Sequence, residues 1–205
     1  DIPANGAAAL RALITAIRKQ FPELVQLYDT TTSLQDRTVT TGIVKPELAG
    51  RFGAGGFVGR ACGRAWDVRR WPGYPPYSDL KFEVATRTDG DVDARVWVRI
   101  DETSQSLSII EQCLERLGES GPHTLPFALD KAAGDCEGVA LVEGFRGDIL
   151  VWVRIARDGT IARCHLRDPS WFQWPLLEAA IEGNIVADFP ICNKSFNCSY
   201  SGHDL

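Results

Sequence analysis

The sequence predicts an α+β, mostly helical protein, a helical bundle with a small three-stranded antiparallel meander. Two stretches of helical period and one group of three short strand-like segments carry that prediction. Leu10, Leu13, Ile14 and Ile17, then Phe21, Leu24, Val25 and Tyr28, recur at helical spacing and mark one face of a helix over 10–28. Val96, Ile100, Thr103, Leu107, Ile110, Leu114 and Leu117 alternate steps of four and three, which marks a longer helix over 91–117. The segments 138–143, 149–156 and 160–167 are joined by Gly144-Phe-Arg-Gly147 and Arg157-Asp-Gly159, which read as hairpin turns.

The other elements follow from capping and breaking residues. Asn5 is available to cap the first helix, and Pro22 should kink or divide it. Lys45 to Gly53 fits one brief helix ended by glycine. Between Gly55 and Pro76 the chain turns to Gly, Arg, Pro and aromatic residues, which sustain neither period, so an ordered irregular loop is expected. The run Ala94-Arg-Val-Trp-Val-Arg-Ile100 also suits a strand, but the longer register favours helix, with Gly118 as its natural stop. Trp174 to Ile181 gives a last short helix with Pro175 near its first turn, followed by an irregular tail folded back.

These elements divide into a helical part, 5–118, containing the loop 55–77, and a second part, 136–205, of meander, helix and tail. Both belong to one fragment, 1–205, of a larger domain. The chain holds no methionine, even at position 1, so residue 1 is expected to lie inside a longer protein. Such a piece should expose apolar surface where its missing half and its partners belong.

Composition excludes several classes. At 205 residues, 44% hydrophobic and 24% charged, the chain can bury a substantial core, which rules out a disordered tail or a fibre. A net charge of -5 removes the phosphate attraction on which nucleic-acid binding depends, so no nucleic acid is expected as a partner. No run approaches the length of a membrane-spanning helix and no signal-peptide pattern opens the chain. Cys62, Cys113, Cys136, Cys164, Cys192 and Cys198 form no CxxC pair and read as reduced thiols of a cytoplasmic protein. No GxSxG, GxxxxGK[ST], GxGxxG or HExxH template is present, and His123 and His165 stand alone.

Three places gather residues that are costly to bury. In Gly59 to Tyr77, Arg60, Arg64, Asp67, Arg69 and Arg70 alternate with Trp66, Trp71, Tyr74 and Tyr77. Arginines among aromatics suit an internal ion-pair network that holds the loop, a subunit contact or an anionic ligand, with the network the commoner outcome. Glu143-Gly-Phe-Arg-Gly-Asp148 is a turn whose glycines could admit a close neighbour; its plain reading is a hairpin with a surface ion pair. In the tail, Cys192, Cys198 and His203 resemble a metal site, but their spacing is too wide for a closed site made from the tail alone.

Read together, Arg60-Ala-Cys-Gly63, Asp67-Val-Arg69, Pro75 to Tyr77, Gly90-Asp-Val-Asp-Ala-Arg95, Glu143-Gly-Phe-Arg-Gly147, Arg167 to Pro175 and the tail from Gly183 through Ser195-Phe-Asn197 occur in one order. This order resembles the C-terminal half of the large subunit shared by group 4 nickel-iron hydrogenases of the formate hydrogenlyase type and the 49 kDa, or D, subunit of respiratory complex I. The resemblance covers nearly the whole chain and implies a fold like that of the nickel-iron hydrogenase large subunit.

The resemblance further implies an electron-transfer subunit. In the hydrogenases two CxxC pairs hold nickel and iron, soft metals that require thiolates; in complex I the same cavity is a quinone site. Here the tail motif places the second pair at Ser199 and Gly202, neither of which supplies a thiolate. Cys198 lies one residue off, and Cys62 stands where the family commonly has serine. By resemblance, Arg60, Asp67, Arg69, Glu143, Arg146 and Asp168 line or brace the cavity, and no metal is expected on this fragment. An iron-sulfur cluster is expected on a small partner subunit, with quinone a possible acceptor. Membrane subunits and the missing N-terminal half of the large subunit are the other partners implied, placing the chain in the cytoplasm, peripheral to the inner face of the cytoplasmic membrane through those partners. A non-catalytic scaffold is the alternative, and an active hydrogenase a third reading that Ser199 and Gly202 disfavour.

Overall fold

The computed structural model describes residues 5–117 and 135–203. In chain order the elements are α1 (Gly6–Thr30), α2 (Thr32–Thr38), α3 (Pro46–Arg51), α4 (Gly56–Ala61), α5 (Val92–Leu117), β1 (Cys136–Gly144), β2 (Gly147–Ile155), β3 (Ile161–Arg167), α6 (Ser170–Ile181), α7 (Phe189–Phe196) and α8 (Tyr200–His203). Helices surround α5, against which α1, α2, α4 and α7 all pack. The strands form an antiparallel sheet in the order β1-β2-β3. The α+β, mostly helical architecture is therefore present.

Helix α5 begins at Val92 because Asp91 caps it: one carboxylate oxygen accepts the Ala94 N–H at 2.7 Å and the other accepts the Thr40 N–H at 2.7 Å. Its second half follows the expected period, with Leu107 and Leu114 packed on Ile14 of α1. Its first half does not. There Val92, Ala94, Arg95 and Val98 are buried while Val96 and Ile100 are only partly covered, since α4 and α7 enclose the helix from different sides. Around Val98 lies the main core, where Val44, Phe57 and Val58 meet Leu176, Leu177 and Phe196.

Arg95 anchors this core although it is charged. It is 0% exposed and donates to the Ser195 hydroxyl at 3.0 Å, to the Gly90 carbonyl at 2.8 Å and to the Gly42 carbonyl at 2.9 Å. Its guanidinium lies 4.5 Å from the centre of the Phe196 ring, which adds a cation–π contact. Burial lowers its pKa to about 10, so it remains charged at neutral pH.

Several expectations are corrected. Pro22 neither divides nor ends α1, which runs unbroken from Gly6 to Thr30; Pro22 is exposed, so solvent can satisfy the carbonyl its ring displaces. Asn5 makes no capping hydrogen bond through its side chain. Helix α2 has no period to announce it and is held by tertiary contacts, chiefly Tyr28 bonded to Thr38 and Gln35 bonded to the Tyr28 carbonyl. The segment 55–76 is not irregular throughout: it opens with α4, all six residues of which are buried. Helix α6 starts at Ser170 and holds Pro175 in its interior, and the tail is helical in α7 and α8. The stop at Gly118 and the lone His123 lie outside the described residues.

The sheet follows the expected hairpins. Gly144 pairs with Gly147 across the first turn, and Ala140, Val151 and Leu166 line up across the three strands. That turn rests on the start of α4, where Gly56 has φ +60° and an added Cβ would run into the Arg146 carbonyl. Glycine is required there twice over, by backbone conformation and by space. Gly56→Ala should therefore lower stability by roughly 3 kcal/mol or more, read as a drop in the urea midpoint with unchanged slope.

Candidate functional site

Helix α4 carries Arg60 into the interior, and three other elements bring carboxylates to it. Its Nε donates to Glu102 of α5 at 2.5 Å, its Nη1 to Glu143 of β1 at 2.9 Å and to the Trp66 carbonyl at 3.0 Å, and Asp67 lies 3.7 Å away. The side chain is 2% exposed, as against 1% for Asp67 and 4% for Glu143. Arg69 grips Asp67 in a fork, Nε at 2.9 Å and Nη2 at 2.6 Å, and also stacks near Phe82. Glu143 accepts a further bond from the Val68 N–H at 3.0 Å. The expected internal network of Asp67 and arginine thus exists, and Glu143 belongs to it. The turn's ion pair is buried, which corrects the plain reading of a surface pair: the register of β1 points Glu143 inward at α4.

Charge in this cluster is unevenly divided. Burial works against the Arg60 cation, but Glu102 and Glu143 outweigh it and hold its pKa above the ordinary arginine value. Burial also pushes the carboxyls of Glu102 and Glu143 upward, and the opposing pull of Arg60 does not cancel it. The causes differ: neighbouring carboxylates hold Arg60 charged, while loss of solvent raises the two glutamates against its pull.

The other predicted residues form a second cluster at the tail. Arg146 leaves the same turn as Glu143 and donates through Nε to the carbonyl of Asn197, the left-handed residue that ends α7. Asp168 precedes α6 and accepts the Ser170 N–H at 2.8 Å. The Ser170 hydroxyl accepts the Ser199 N–H at 2.9 Å, and the Ser199 hydroxyl accepts the Gly202 N–H at 2.9 Å. An added Cβ on Gly202 would lie 2.6 Å from the Asp168 carboxyl carbon and 2.7 Å from one of its oxygens. The space of a side chain at position 202 is taken by the Asp168 carboxylate.

This donor set does not fit a nickel-iron centre. Ser199 and Gly202 offer no thiolate, and among the described residues no three His, Cys, Asp or Glu side chains converge on one point. Cys198 is buried against Gln173, and burial pushes its thiol up to about 11, away from the thiolate a metal needs. Cys192 is buried near Arg95 and His203 lies beside Trp174, so the tail's three ligand-type residues are held apart by separate packing. Cys62 bonds the Val58 carbonyl, and burial likewise raises its thiol to about 11.

Two described cavities lie beside the arginine-rich loop. One of about 350 Å³ is lined by Arg69, Arg70, Tyr74 and Tyr77, and one of about 460 Å³ by Arg70, Phe82 and Gln105. Sequence reasoning missed Glu102, Arg95 and Gln173. Glu102 could have been found: Ala94 and Val98 precede it at steps of four, so it continues a buried face of α5. Gln173, which donates to the Arg146 carbonyl at 2.6 Å and links the turn to α6, has no comparable signal.

Two substitutions test this geometry. Arg60→Gln leaves Glu143 and Asp67 buried with a lost partner and should cost about 3–5 kcal/mol in denaturant unfolding. Gly202→Ala should cost about 1–3 kcal/mol because the carboxylate must move, and the same change made in an Asp168→Ala background should cost much less. Additive costs would contradict the placement of Asp168.

Residues 1–133 match the family described as "Respiratory-chain NADH dehydrogenase, 49 Kd subunit". Over 92% of its length the chain is 35% identical to the D-type subunit of the NADH-quinone oxidoreductase of Syntrophobacter fumaroxidans, covering 50% of that protein. Over 85% it is 31% identical to a carbon monoxide-induced hydrogenase of Rhodospirillum rubrum, covering 48% of it. It is also 29% identical, over its whole length, to formate hydrogenlyase subunit 5 of Escherichia coli, of which it covers 35%. The chain spans about half the length, or less, of these relatives. These likenesses show that the chain belongs to the family of the 49 kDa subunit of respiratory-chain NADH dehydrogenase, and that it is also similar to a hydrogenase and to a formate hydrogenlyase subunit.

Proposed function

We propose that this chain is part of an electron-transfer subunit in a complex I-like or formate hydrogenlyase-like assembly, that it carries no nickel-iron centre, and that its assembly reduces a quinone or another acceptor. The observation that carries this reading is the pair Ser199 and Gly202, with the Asp168 carboxylate filling the side-chain space at 202. A site closed in this way offers a metal neither thiolates nor room. Electrons would then come from an iron-sulfur cluster on a small partner subunit.

The surface supports partners. Val139, Val142, Ile161 and Leu166 of the sheet are exposed, as are Ile185, Val186 and Phe189 before and at the start of α7. No described helix is long and apolar enough to cross a membrane, so attachment to the inner face of the cytoplasmic membrane would run through membrane subunits. The remaining half of the large subunit would complete the acceptor cavity.

A scaffold role is the second reading, and the internal pairing of Arg60 favours it: a guanidinium 2% exposed and bonded to two glutamates braces elements and does not reach a ligand. The native complex separates the readings. Elemental analysis should find no nickel, and nickel at one equivalent would overturn the proposal. Acceptor-dependent oxidation of a donor should fall in Arg146→Ala while the complex stays assembled. Unchanged turnover would remove the redox reading, and dissociation of the partners would favour the scaffold.

A further inference from the structure

The Arg60 cluster is one positive charge short. Arg60 and Arg69 face Asp67, Glu102 and Glu143, and every contact among them lies at 3.7 Å or less. An unbalanced charge in a buried site carries a large desolvation penalty, which a single bound proton removes. The hydrogen bonds decide where that proton sits. Asp67 accepts three N–H donors from Arg69, counting its backbone N–H at 3.0 Å, and Glu143 accepts Arg60 on one oxygen and Val68 on the other. Both are arranged as carboxylates. Glu102 accepts one donor, Arg60 Nε on Oε1, and no described donor reaches its other oxygen.

We propose that Glu102 is a proton-holding site, exchanging one proton with solvent at its free oxygen and passing the resulting change of charge through Arg60 to Glu143 and the turn that carries Arg146. In the step, hydronium gives a proton to the Glu102 carboxylate, forming the O–H bond of a carboxylic acid and leaving water; release reverses it. The side chain is 18% exposed, as against 4% for Glu143, so it is the outer end of the path Glu102–Arg60–Glu143. The inner end reaches the tail, because Arg146 holds the Asn197 carbonyl next to Ser199.

The other charged groups facing Glu102 are accounted for. Arg60 approaches from α4, Arg69 and Asp67 from the loop, and Glu143 from β1. On its own helix Arg99 lies one turn earlier, but its guanidinium sits 4.9 Å from the centre of the Phe57 ring and its Nε donates to the Arg95 carbonyl, so it forms no ion pair with Glu102. Asp101 is paired with Arg87 on the surface. Burial raises the Glu102 carboxyl against the pull of Arg60, in the direction the charge count requires. A raised folded-state pKa stabilises the fold fully below the ordinary glutamate range, and this contribution is lost as pH rises through the folded value.

The test uses the full chain labelled with carbon-13 at glutamate carboxyls, followed by NMR from acidic to alkaline pH. One carboxyl should titrate above the exposed glutamates, and its signal should vanish in Glu102→Gln. That variant should melt within about 2 °C of the wild type at pH values below the Glu102 midpoint, where an amide replaces a neutral acid, and its stability should fall less as pH rises. Glu143→Gln should retain a titrating Glu102, with its midpoint shifted down because the excess negative charge is gone. Glutamates that all titrate together, a set of raised signals that Glu102→Gln leaves unchanged, or unfolding of Glu102→Gln below the Glu102 midpoint would each overturn the proposal. The readout involves no electron acceptor, so it stands or falls apart from the redox reading.

Discussion

Arg60 is the point on which the helical body, the arginine-rich loop and the sheet converge. Its guanidinium takes Glu102 from α5, Glu143 from β1 and the Trp66 carbonyl from the loop, so three segments distant in sequence are fixed by one side chain. Such a contact is weak evidence of net stability, because desolvation offsets much of the attraction. What it supplies is position: the sheet can meet α4 only where Glu143 reaches Arg60, and Gly56 admits the Arg146 carbonyl at that same junction.

A second buried arginine, Arg95 of α5, does the corresponding work where α5 meets α7. Arg95 has no carboxylate partner among the described residues and is satisfied by two backbone carbonyls, a hydroxyl and the Phe196 ring. It ties α5 to the loop before α3 and to α7, which precedes Ser199 and Gly202. The two arginines therefore hold the tail from both directions, Arg95 through Ser195 and the Arg60 cluster through Arg146.

The tail is a packed one: the Ser199 hydroxyl accepts the Gly202 N–H, and the Asp168 carboxylate fills the space a side chain at 202 would take. The polar groups satisfy one another, which is what a closed structural joint requires.

By itself the sequence determined the principal helices and strands and pointed to the family. The long helix, the three strands and both hairpins were legible because periodicity and turn residues act locally. It also named Arg60, Asp67, Arg69 and Glu143, since arginines among aromatics and a carboxylate in a glycine-bounded turn are unusual residue choices. Only the tertiary structure decided that these belong to one cluster with Glu102, that Arg95 is buried, and that α2, α4 and the tail are helical. Those outcomes depend on contacts between segments far apart in the chain. The burial of α4, and the direction in which α5 turns Glu102, are set by what packs on the other side.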